Sequence, residues 1–139
     1  MILAGASIST GWGKGLSSLP TNAQVAAGDR HILPLYTPQT EDERLRRATR
    51  ECRLAHTAIE SALSVGPLSE ADLVGPRTAL IYASASSYVA ANWAFLTADT
   101  RNVMNFPYTA PCAVPGEVSM RFGITGPCLS FLSGPSAGL

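Results

Sequence analysis

The side chains best equipped for chemistry in this chain are three cysteines, two histidines, a serine framed by glycines and a run of arginines. Gly134-Pro135-Ser136-Ala137-Gly138 has the G-x-S-x-G spacing that, after a strand, lifts a serine hydroxyl out of a sharp turn. The matching triad needs an acid and then a histidine later in the chain, and only Leu139 follows. Ser136 therefore reads either as a nucleophile or as a small residue in the first turn of a helix. Cys112 sits near a predicted helix start, where the dipole favours a thiolate; a structural role is the alternative. Cys128 opens an apolar run after Gly126-Pro127, and a buried thiol there packs rather than reacts. Cys52 falls on an apolar helical stripe and reads as core. An odd cysteine count without C-x-x-C or clustered Cys/His spacing argues against a disulfide framework and against a metal site. Reduced thiols and a cytoplasmic location are the simpler reading. No cofactor is expected.

These residues must be positioned by strands and helices. Ile2 to Ser9 reads as a buried strand that ends in the turn Thr10-Gly11-Trp12-Gly13. Residues 13 to 38, rich in Gly, Ser, Pro and Asn, read as irregular with room for one helical turn. Thr40 and Glu43 form a capping-box pattern that predicts the first long helix. Leu45, Ala48, Cys52, Ala55, Ile59 and Ala62 continue it as one stripe, and Gly66-Pro67 stops it. Arg44, Arg46, Arg47, Arg50 and Arg53 lie along this helix behind Glu41, Asp42 and Glu43, the order that a helix dipole prefers. The plain reading of that run is a solvated face with local ion pairs.

Ser69 caps a short turn through Leu73. Thr78 to Ala83 reads as a strand, and a helix carrying Val89, Trp93 and Leu96 follows. After Phe106-Pro107-Tyr108, a third helix runs from about Cys112 to Phe122 and closes at Gly123. Cys128 to Leu132 reads as a buried strand. Strands alternating with helices indicate an α/β protein, and 139 residues form one domain, 1–139.

Composition excludes several function classes. Net charge is zero, which leaves no electrostatic footprint for nucleic acid or an anionic membrane surface. No apolar stretch approaches the ~20 residues of a membrane span. The N-terminal apolar run lacks a basic flank and does not read as a signal peptide. Charged residues are only 14% of the chain, which points to surface covered internally or by a partner.

The stretch from Val114 through Arg121-Phe122-Gly123-Ile124-Thr125-Gly126-Pro127-Cys128-Leu129-Ser130 resembles the β-ketoacyl synthases. That family has a helix ending in an aromatic-Gly pair, a Gly-Pro turn, and a strand that delivers a cysteine nucleophile into the next helix. Ile2 to Ser9 with its glycines, and Ile81 to Ser87, are looser echoes in the right order. The resemblance implies a partial thiolase-type fold, a mixed sheet flanked by helices, of which this chain supplies the first half. It places the nucleophile at Pro135. Proline has no thiol to acylate and no backbone N–H. In the family the nucleophile's amide is an oxyanion donor, and losing one such donor costs about a hundredfold or more in rate. His31 and His56 match neither family histidine.

The resemblance thus implies a non-catalytic subunit, like the chain-length factors that pair with an active synthase in fatty acid, polyketide or aryl-polyene biosynthesis. Its partners would be a β-ketoacyl synthase subunit or a second copy, and an acyl carrier protein docking near Arg44, Arg47 and Arg50. Trp93, Phe95 and Leu96 would line the acyl tunnel, ordinary core packing being the alternative. Cys128, Leu129, Ser130, Phe131 and Leu132 would form the dimer interface. The competing readings are an acyl-transfer or hydrolytic enzyme using Ser136 or Cys112, and a truncated fragment without independent function.

Overall fold

A computed structural model of the chain describes residues 3–86, 88–99, 103–132 and 134. Its centre is a pair of packed helices, α2 (Arg50–Val65) and α5 (Ala113–Phe122). Leu45, Ala48 and Cys52 close against Val114 in one apolar cluster; Val118, Phe122 and Ile124 form a second, with Ile59, Leu63 and Leu80 against it. A short helix, α1 (Ala23–Ala27), interrupts the irregular N-terminal third.

The first long helix starts nine residues later than its sequence pattern suggests, which corrects the reading of Thr40 as its cap. Thr40 Oγ1 accepts from Asp42 N–H at 3.1 Å and only shapes a turn. A 3-10 turn follows at Leu45–Arg47, Ala48 is extended, and Thr49 caps α2 by accepting from Cys52 N–H at 3.3 Å. The 3-10 turn repeats every three residues. Leu45 and Ala48 therefore share a face, and the apolar stripe runs unbroken across a break in the helix. Only Arg50 and Arg53 of the arginine run lie on α2. The capping box forms instead at α3 (Glu70–Leu73), where Asp72 Oδ2 accepts from both the amide and the hydroxyl of Ser69 at 2.8 and 2.7 Å.

Two separate two-stranded sheets are present among the described residues, rather than one mixed sheet. β1 (Ser9–Thr10) and β2 (Gly13–Lys14) make an antiparallel hairpin. β3 (Leu80–Ser84) and β4 (Cys128–Leu132) pair in parallel, Leu80 opposite Cys128 and Ser84 opposite Leu132. Between them the chain crosses over through α4 (Val89–Thr97), a 3-10 stretch at Val103–Thr109, and α5. The expected opening strand is not formed over residues 3–8. That segment has no strand partner among the described residues and lies along the end of α2, Ser7 Oγ donating to Ala58 O at 2.7 Å.

The passage from α5 to β4 follows its sequence signals closely. Gly123 ends α5 in the left-handed region, φ 65°, where a side chain is strained. Ile124 bridges to Gly75, and Leu80 N–H donates to Pro127 O at 2.8 Å to open the parallel pair. At Gly126 a Cβ would collide with the carbonyls of Thr78 and Pro76, so only glycine lets the two segments approach this closely. Arg121 fastens the same corner. It reaches Glu70 of α3 at 3.0 Å and Glu60 of α2 at 3.6 Å.

β4 is a strand, as expected, but it is not buried. Cys128 through Phe131 are exposed, because β4 pairs with β3 on one side only and the apolar clusters around α5 take in Leu80 and Tyr82 of β3 but no residue of β4. Cys128, expected to be packed away, is accordingly an exposed free thiol. No helix among the described residues is long and apolar enough to cross a membrane.

Candidate functional site

Parallel pairing brings the carboxyl ends of β3 and β4 out side by side, Ser84 beside Leu132. In open parallel sheets this is the edge where ligands bind. Beyond β3 the chain turns at Ser86, whose carbonyl accepts from Val89 N–H at 3.0 Å, and enters α4. Beyond β4 it reaches Gly134, whose φ of 61° marks a sharp left-handed turn. Pro135 and Ser136 come next in the chain and lie outside the described residues.

The three tunnel candidates divide between two faces of α4. Trp93 and Leu96 are exposed at 71% and 61% on a surface continued by Val89. Phe95 turns the other way, its ring 6.0 Å from that of Phe106. It lines a cavity of ≈ 190 Å³ with Arg47, Thr49, Ala91, Ala94 and Tyr108. Residues three apart share a helix face and residues two apart do not, so the cluster in sequence is not a cluster in space. The fold does bring Phe95 to Arg47, which puts a cation in a hollow of mixed character that Asn105 also lines.

Tyr108 offers no acid–base chemistry there at neutral pH. Its hydroxyl donates to Glu117 Oε1 at 2.9 Å, and burial, reinforced by that carboxylate, pushes its pKa up to about 12. Arg50 is engaged with Leu35 O at 2.5 Å and lies 4.0 Å from Glu51. Arg44 lines a different cavity with Asp42, His56, Glu117 and Arg121. Arg44, Arg47 and Arg50 thus meet different surroundings rather than lining one hollow. Cys112 is exposed at the N-cap of α5, while burial pushes the Cys52 thiol up and keeps it protonated. Among the described residues no three His, Cys, Asp or Glu side chains are grouped so that they could hold a metal ion.

The model of the β-ketoacyl synthase N-terminal domain matches residues 23–139. The chain belongs to the β-ketoacyl synthase family. The α/β arrangement of α2, α5 and the β3–β4 pair is accordingly a partial thiolase-type fold. The match takes in the crossover from β3 to β4 and begins after the β1–β2 hairpin, so the looser echo at Ile2 to Ser9 lies outside it. Neither the curated proteins nor the solved structures compared with this chain include a match.

Two features of this synthase-family domain escaped the sequence reading. The corner made by Arg121, Glu60 and Glu70 joins residues far apart in the chain, and nothing local marks it. His56 is 2% exposed, and its signal was present: it follows Cys52 by four residues on the buried side of α2.

Proposed function

We propose that this chain is a non-catalytic β-ketoacyl-synthase-like subunit that pairs with an active synthase in fatty acid, polyketide or aryl-polyene biosynthesis. The observation that carries the reading is Pro135, aligned on the family's nucleophile by the Gly126-Pro127-Cys128-Leu129-Ser130 motif. A proline there can neither form an acyl-enzyme nor donate its amide to an oxyanion. Support for a partner comes from the outer face of the parallel pair, where Ile81, Leu129 and Phe131 are at least half exposed. Parallel sheets are almost always covered on both faces. Cys128 to Leu132 and the exposed flank of α4 are the surfaces on which a synthase would sit. Phe95 and the hollow beneath it would border the acyl chain, and Arg47 would meet the acidic carrier protein, with Arg44 and Arg50 nearby in sequence.

Native mass spectrometry of the chain, expressed alone and with the synthase encoded nearest to it, tests the reading. A stoichiometric heterodimer is the expected result. A stable monomer indifferent to that synthase would count against it. So would a covalent adduct on Ser136 or Cys112 after incubation with an activated acyl substrate, because either would make the chain an acyl-transfer enzyme.

A further inference from the structure

His56 is the most deeply buried polar side chain among the described residues, and neither ring nitrogen has a hydrogen-bond partner. It sits between α2 and α5 with its ring centroid 5.7 Å from that of Phe122. A buried polar group without partners is costly, and native folds rarely keep one without a reason. The charged groups around it come from every neighbouring element. They are Arg53 and Glu60 on α2, Glu117 and Arg121 on α5, and Asp42 and Arg44 on the segment before α2. The two glutamates whose charge acts most on the ring each hold another partner. Glu117 accepts from Tyr108, and Glu60 pairs with Arg121. An imidazolium brings a charge and two N–H donors into this site, and neither ring nitrogen has a hydrogen-bond partner as the helices are packed, so the charged ring could be satisfied here only by a shift of α2 against α5.

We infer that His56 is an acid-sensitive joint: protonation of its ring loosens the packing of α2 on α5 and, through α5, the support of the β3–β4 sheet. The direction follows from the surroundings. Burial holds the folded-state ring below its ordinary value of 6.5, outweighing the pull of Glu60. The unfolded chain therefore takes up a proton near pH 6.5 that the folded chain refuses. Stability is fully present above that pH and declines as pH falls below it, until the folded ring itself titrates. This window lies above the range in which carboxylates protonate.

Urea unfolding of the full chain between pH 7.5 and 5, compared with His56→Leu and His56→Gln, tests the joint. Relative to both variants, the wild-type unfolding constant is expected to rise by up to about tenfold per pH unit below roughly 6.5. His31→Gln, at the other and exposed histidine, should keep the wild-type slope. Parallel pH profiles for wild type and the His56 variants would overturn the inference. If neither variant folds, ring-proton NMR of the wild type decides. A His56 ring that stays neutral well below pH 6.5 supports the joint, and one that titrates at or above 6.5 ends it.

Discussion

The two faces of the β3–β4 sheet are built from similar side chains and meet opposite fates. On one face Leu80 packs with Val118 and Phe122, and Tyr82 packs with Leu45 and Val114. On the other, Ile81, Leu129 and Phe131 look outward, with Ile81 66% exposed. Alternation along a strand sends neighbouring residues to opposite faces, so a single covering helix, α5, decides which half of β3 packs against the core. Hydrophobic composition does not by itself distinguish a face that holds this domain together from one that would hold it to something else.

The comparison can be broken most forcefully on the covered face. Phe122→Ala removes a nearly fully buried ring and is expected to cost about 3–5 kcal/mol in urea unfolding. A loss below about 0.5 kcal/mol, the usual size of a surface change, would mean that α5 is not the anchor. Next comes the joint between α5 and the sheet. Gly123→Ala forces a Cβ into the left-handed region and should cost about 1–2 kcal/mol. The smallest stability effect belongs to the open face. Phe131→Ser should change unfolding of the isolated chain by no more than about 0.5 kcal/mol. The same substitution should nonetheless shift sedimentation toward monomer or weaken the proposed heterodimer. If Phe131→Ser unfolds the chain instead, the open face is core and the contrast disappears.

Much of this was legible in the sequence wherever the signal was local. Gly123 after Phe122, the Gly126-Pro127 turn, Gly66 after α2 and the Ser69–Asp72 cap each act within a turn of their own position. The structure places them as the sequence implies. The start of α2 was not legible, because Thr40 and Thr49 both offer a capping oxygen and the stripe through Leu45 and Ala48 suits a 3-10 turn as well as an α-helix. Residues 3–8 have the composition of a strand. A strand also needs a neighbour to receive its hydrogen bonds, and composition cannot supply that. The exposure of β4 was invisible for the same reason. Trp93, Phe95 and Leu96 were legible as helical, but not the turn of Phe95 toward Phe106 and away from the exposed side of Trp93 and Leu96. The family motif aligns Pro135 with the position of the family's nucleophile, and that residue lies outside the described ones.

The register of β3 against β4 also sets an order of events. None of the five cross-strand pairs can close until the chain from Ser84 to Cys128, with α4, the 3-10 stretch and α5, has been looped out between them. Contacts of such long sequence separation form late, because the loop entropy is lost before any pairing compensates for it. Through that interval Leu129 and Phe131 belong to an unpaired, strand-forming segment exposed to every other copy in solution. Expression of the chain alone should therefore yield inclusion bodies before it yields a misfolded soluble species.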